Sequence, residues 1–369
     1  MINFVCENKE WLFSGIGVFI FSLIFAILKI RSKKTDKQIQ NLAPSSNLTN
    51  YQADKIIVNQ QGLTYGEVVQ IANDTARQRA EEITRDFLEK LKAENPTGVE
   101  STTSPDFQES MFTVQKEFAK CGDKQLGDIL VDLLIDRSKE PSRNLKQIVL
   151  NEAIKTTPKL THEQIAALSI IFLLRYSAQK TINNLETFGN YLDLHIQPLL
   201  PNLTKNDASF RHLQYAGCGS IDIASVDLAR IWQNSYQGLF FKGFDISEID
   251  SSKISENGIS QFIMPCLNNE DKRQINAISA ENLDRKLSKT DLSDSEKNYI
   301  KSLFNVAKMA PDEIKNKIIE IRPYMAELYD IWENSEMKSF QLTSVGIAIG
   351  HANLKKRLKN FTDLSIWIN

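Results

Sequence analysis

The chain has 369 residues, 42 per cent of them hydrophobic, with 44 basic and 46 acidic residues for a formal net charge of −2. That length holds one large or two ordinary domains, and that apolar content excludes disorder throughout. The near-neutral balance excludes a global electrostatic attraction to nucleic acid or acidic lipid, so any basic patch is local. The four cysteines, Cys6, Cys121, Cys218 and Cys266, show neither the CxxC pairs of a zinc site nor the density of a disulfide framework, and they read as buried, reduced thiols.

Residues 1–10 precede an uncharged run, WLFSGIGVFIFSLIFAIL, from Trp11 to Leu28. Eighteen helical residues span about 27 Å, close to a bilayer core, which predicts a transmembrane helix over 11–30. Lys29, Arg31, Lys33 and Lys34 follow it, so the positive-inside bias predicts a single-pass protein of the bacterial inner membrane. Its N-terminus is expected outside and its main domain in the cytoplasm, with the lipid bilayer as partner of residues 11–28. Residues 31–47 are polar and read as a juxtamembrane linker, and the Asn- and Gln-rich stretch from Asn47 to Gly62 reads as one or two short strands.

A long helix is expected from about Thr64 to Glu94. Its Val69, Ala72, Ala76, Ala80, Ile83, Phe87 and Leu91 are spaced 3, 4, 4, 3, 4 and 4, an eleven-residue repeat that keeps an apolar stripe straight along a helix. With the preceding strands, residues 48–95 form a candidate oligomerisation stalk, and a homo-oligomer is expected; the alternative is an ordinary amphipathic helix lying on its own domain.

Pro96–Pro105 is a break, and a helical cytoplasmic domain is expected over 104–369. Helices are predicted at 106–120, 123–139, 142–156 and 161–177, the last opening on a capping box, Thr161 with Gln164. Within it, IAALSIIFLL is apolar nearly all round and reads as a buried central helix. Further helices fall near 182–199 and 207–216. Around 217–270 glycines and short apolar runs suggest loops, small strands and a possible subdivision. Helices resume at 271–287, 293–308 and 311–334, and the chain closes as strand, helix, strand. The fold class is therefore mainly α: a transmembrane helix, a short β segment, a long amphipathic helix and a helical bundle with a small strand-helix-strand end.

NKEWLFSGIGV, NLTNYQA with GLTYGEV, QKEFAKCGDKQLGDILVDLLIDR, YAGCGSI with YQGLFFKGFD, and LTSVGIAIGHANLK together resemble an uncharacterised family of bacterial single-span proteins. That family is of the kind found among conflict and phage-defence genes. The resemblance implies a defence setting and brings no catalytic residues.

The chemistry-bearing candidates are few. Asp128, Asp132 and Asp136 recur at i, i+4, i+8, as a hard divalent cation would require, although an acidic solvent face opposite a leucine-rich core face explains the same pattern. Cys218 between Gly217 and Gly219 is the best nucleophile candidate, with His212 near in sequence and His195 and His351 as other bases, against the simpler reading of a buried thiol in a tight turn. Lys355, Lys356 and Arg357 make a local basic cluster after an LTxxG strand exit similar to the end of a winged helix, against the simpler reading of cations complementing a helix C-terminus. No cofactor or metal is expected, and nucleic acid is not expected as a partner. The sequence thus points to a non-enzymatic, self-associating interaction protein, a sensor or effector; the alternatives are a membrane-tethered hydrolase or nuclease with its site near Cys218, and a nucleic-acid binder acting through the basic C-terminal helix.

Overall fold

In a computed structural model of the chain the described residues are 64–306, 308–355 and 362–368. They belong to two compact units, Met1–Arg143 and Asn144–Asn369.

The first unit is built on three helices whose ends are written in the sequence. Helix α1 runs Tyr65–Glu94 and begins at Thr64, whose hydroxyl accepts from the Glu67 amide while the Glu67 carboxylate accepts from the Thr64 amide at 2.8 Å. Helix α2, Pro105–Cys121, starts with Ser104 as cap and proline in its first turn, and stops where Gly122 takes a left-handed φ of 64°. Asp123 then caps α3, Lys124–Ser138. Ile83, Phe87 and Leu91 of α1 are buried with Phe107, Met111, Val114 and Phe118 of α2 and Ile129, Leu130, Leu133 and Leu134 of α3. A Cβ on Gly127 would come within 2.7 Å of the Phe118 ring, so glycine lets α3 lie close against α2.

The second unit is centred on two helices far apart in sequence. They are preceded by α4, Leu145–Thr156, which packs on the second of them. Helix α5, His162–Arg175, opens on the Thr161–Gln164 capping box and is buried from Gln164 to Leu174. There follow α6 (Leu185–Tyr191), a π turn (Leu192–Ile196), a 3-10 turn (Gln197–Asn202), α7 (Asp207–Tyr215), β1 (Gly219–Ile221) and α8 (Leu228–Tyr236). A smaller core follows: α9 (Glu256–Phe262), the antiparallel hairpin β2 (Ile263–Cys266) and β3 (Asn269–Ile275), α10 (Ala280–Leu287) and α11 (Asp294–Phe304). These elements enclose Phe241, Phe244, Phe262, Ile275, Leu283, Ile300 and Phe304. Then come α12 (Pro311–Ile321), α13 (Met325–Glu333), β4 (Phe340–Leu342) and α14 (Ser344–Lys355). β4 pairs antiparallel with β1, Gly219 opposite Leu342 and Ile221 opposite Phe340.

Helix α14 lies along α5, and its glycines set the approach. A Cβ on Gly350 would stand 2.9 Å from the Leu168 carbonyl oxygen, and one on Gly346 would stand 1.9 Å from that of Cys218. The polar groups this contact buries are paired: Asn353 Nδ2 donates to Ser169 Oγ at 2.8 Å, and Ser169 Oγ donates to the Ile165 carbonyl.

The observed architecture corrects the expected fold class. The transmembrane segment 11–30, with Trp11, Lys29, Arg31, Lys33 and Lys34, and the strands expected before Gly62 lie outside the described residues. Among the described residues no helix is long and apolar enough to cross a membrane. The chain is mainly helical without such an element there. The strand-helix-strand close is also corrected: β4 and α14 are followed by a 3-10 turn, Leu364–Ile366, not a strand. Of the apolar residues of DLSIWIN, Leu364 and Ile368 are buried and Ile366 is exposed, and Trp367 Nε1 donates to the Tyr176 carbonyl at 2.7 Å. The helix expected over 271–287 is two elements, because Ile275 is buried as the last residue of β3 and Ser279 caps a separate α10.

Candidate functional site

Each sequence-derived candidate within the described residues has a definite place. Cys218 is fully buried in the turn between α7 and β1, and burial pushes its thiol up to about 12, which keeps it protonated at neutral pH. His212 Nδ1 lies 2.9 Å from Gln164 Nε2 and 3.2 Å from its Oε1, held by the capping residue of α5. No contact joins it to Cys218 among those described. The glycines around Cys218 serve packing: a Cβ on Gly219 would overlap the Phe340 ring, while Gly217 takes a left-handed φ of 76°. Of the other cysteines, Cys266 is buried and Cys121 exposed, so the uniform expectation of buried thiols fails at the end of α2.

The acidic series of α3 does not form a solvent face. Asp132 is 1 per cent exposed and pairs with Lys90 of α1 at 2.6 Å, and Asp136 is buried and pairs with Lys139 at 3.0 Å. No cluster of metal-binding side chains occurs among the described residues. Asp132 thus ties α3 to α1, while Asp136 closes the end of its own helix. Lys355 closes α14 and is partly buried, whereas Lys356 and Arg357 lie outside the described residues.

Two histidines and a carboxylate meet structure that local patterns do not announce. The π turn after α6 presents Asp193 to Arg322, which donates from Nε and Nη2 at 2.7 Å each, and to Tyr324 Oη, also at 2.7 Å. The guanidinium holds the Asp193 carboxyl below its ordinary value. A Cβ on Gly189 would lie 2.7 Å from Arg322 Nη2, so glycine makes room for the clamp. His195, one helical turn from Tyr191, has its Nδ1 buried without a hydrogen bond, and burial pushes it down from its ordinary value, toward the neutral form. His351 stands between the Phe172 and Trp367 rings with Nε2 2.8 Å from the Thr362 carbonyl. These contacts close the helical core and carry no reaction geometry.

The surface that remains is on α1. Ile83, Phe87 and Leu91 are buried, but the same stripe continues toward the N-terminus through Ala80, Ala76, Ala72, Val69 and Tyr65, with Val68 on its flank. There Tyr65 is 86 per cent exposed, Val68 48 per cent and Val69 39 per cent. Ile71, toward the opposite face, is 53 per cent exposed. Residues 65–80 make about 24 Å of helix. Alanines at 72, 76 and 80 give that length a low profile on which another helix backbone can approach closely.

The model of an uncharacterised family, described only by a bare "-like", matches residues 48–368. The chain belongs to that family. Its match takes in α1 together with both units, so the long helix is within what defines the family. No curated protein and no solved structure matches the chain.

Proposed function

We propose that this protein acts by association rather than by catalysis, and that the N-terminal half of α1 is the surface through which two copies join. The observation that supports the reading is the division of one apolar stripe. Its C-terminal half is covered within the first unit, while Tyr65, Val69 and Ala72 continue it uncovered among the described residues, with the exposed Val68 on its flank. An uncovered apolar helix face flanked by polar residues is the ordinary form of a helix-helix contact. Alanines within it favour a like helix as the occupant, because two such faces meet at short interaxial distance. A defence setting is carried by the sequence resemblance and extends this reading to an assembly that senses or acts on infection.

Light scattering of the full chain over a range of concentrations tests the association. The wild type is expected to exceed the monomer mass as concentration rises, and Val68→Glu with Val69→Glu is expected to shift it toward monomer without altering its circular dichroism. A wild type that stays monomeric, or a double variant that associates equally well, overturns the reading.

A further inference from the structure

A cavity of about 150 Å³ lies in the second unit where the loop after α5, the turn after α8, the β2–β3 hairpin and α10 converge. Its polar lining is Lys180, Asn183, Gln274, Asn276, Asn282 and Lys286, and Met264 and Leu267 supply apolar wall. Among the described residues no aspartate or glutamate lines it. Neither lysine forms an ion pair among the described residues. Lys286 Nζ instead donates to the Asn276 carbonyl at 2.6 Å and lies 3.3 Å from its Oδ1, both neutral acceptors. Partial burial of the ammonium end pushes Lys286 down from its ordinary value.

The walls are fixed in advance. Gln274 is buried with both ends of its amide used, accepting from the Leu267 amide and donating to the Gly238 carbonyl at 2.9 Å each. Gly238 in turn donates to the Ile278 carbonyl at 2.9 Å, and a Cβ there would lie 2.0 Å from the Ala277 carbonyl oxygen, so the backbones are in direct contact. The loop carrying Lys180 is tied down by the Gln179 amide, which donates to Tyr236 Oη at 2.8 Å. Asn183 Oδ1 accepts from Thr187 Oγ1 at 3.4 Å, which leaves its Nδ2 as the group available to a ligand. A preformed recess with two ammonium groups, amide donors and no carboxylate matches an anion with several acceptor oxygens.

We propose that this cavity binds a small oxyanion, the phosphate or carboxylate group of a metabolite. A volume of about 150 Å³ holds about six heavy atoms, which suits such a group with a short apolar stem. The site is independent of the α1 surface, and each can fail without the other.

Calorimetric titration of the full chain with inorganic phosphate and with acetate, against sodium chloride at equal ionic strength, tests it. Binding beyond the chloride control is expected for at least one anion, and which one responds assigns the phosphoryl or the carboxylate class. Lys180→Gln and Lys286→Gln are each expected to weaken binding roughly ten-fold, the effect of losing one charge-assisted hydrogen bond, and Lys286→Arg to retain it. Both glutamine substitutions fall at exposed positions, and unchanged thermal melting without ligand verifies the fold. No binding beyond chloride, or undiminished binding by Lys180→Gln and Lys286→Gln together, overturns the proposal.

Discussion

The two halves of α1 share one pattern and meet different fates. From Ile83 to Leu91 the eleven-residue stripe is covered by α2 and α3, while from Tyr65 to Ala72 the same spacing faces outward. Periodicity therefore specifies which face of a helix is apolar and is silent on what covers it. The cover depends on where neighbouring helices stop, and α2 ends at Gly122, whose site is filled by Arg79. Arg79 Nη1 also donates to the Ala119 carbonyl at 3.1 Å, so the last turn of α2 is closed by a residue of α1 itself. Beyond that contact the stripe continues without a buried residue.

The sharpest way to break this contrast is truncation in the covered half. Phe87→Ala removes a fully buried ring that lies 5.7 Å from Phe107, and should cost about 3–5 kcal/mol in denaturant unfolding. Val68→Glu with Val69→Glu in the uncovered half should stay within about 0.5 kcal/mol of wild type while reducing association. A loss comparable to that of Phe87→Ala would mean that the outward face is covered after all. Thr64→Ala removes the helix cap and should cost about 1 kcal/mol, read as fraying of the first turn by amide exchange with the covered half unaffected.

The smallest expected effect is a difference in sign under acid. Hydrogen bonds from Thr64, the backbone one foremost, hold Glu67 below its ordinary 4.5. Its contribution is thus complete above that value and lost as pH falls through the lower folded-state value. Burial raises Asp86 above its ordinary 3.8, partly offset by Arg85. That raised carboxyl disfavours the fold above its folded-state value and is relieved as pH falls toward 3.8. Across that acid range Glu67→Gln should flatten a loss of stability and Asp86→Asn a gain, in parallel pH-dependent denaturant titrations. The same sign for both would remove the electrostatic distinction between the halves.

Local signals in the sequence correspond closely to the helix starts. Thr64, Ser104 with Pro105, Thr161 with Gln164, Ser293 with Glu296 and Pro311 all stand where α1, α2, α5, α11 and α12 begin, because a cap is satisfied within one turn. What depended on distant partners was not legible. β1 meets β4 across the whole intervening run of helices, and the cavity draws Lys180, Gly238, Gln274 and Lys286 from four segments. Asp132 seemed a surface carboxylate until Lys90 of another helix neutralised it. The α3 pattern alone holds no trace of that lysine.

The contact of α14 with α5 also sets a schedule. Ser169 and Asn353, which hydrogen-bond in the centre of the second unit, are 184 residues apart. At a synthesis rate of about 5–20 residues per second, α5 waits roughly 10 to 40 s for its partner to be made. Throughout that interval IAALSIIFLL has no Gly350 to lie against, whereas the three helices of the first unit are already complete. The chain therefore emerges with its first unit able to close early and α5, buried along most of its length, in need of shelter until α14 emerges.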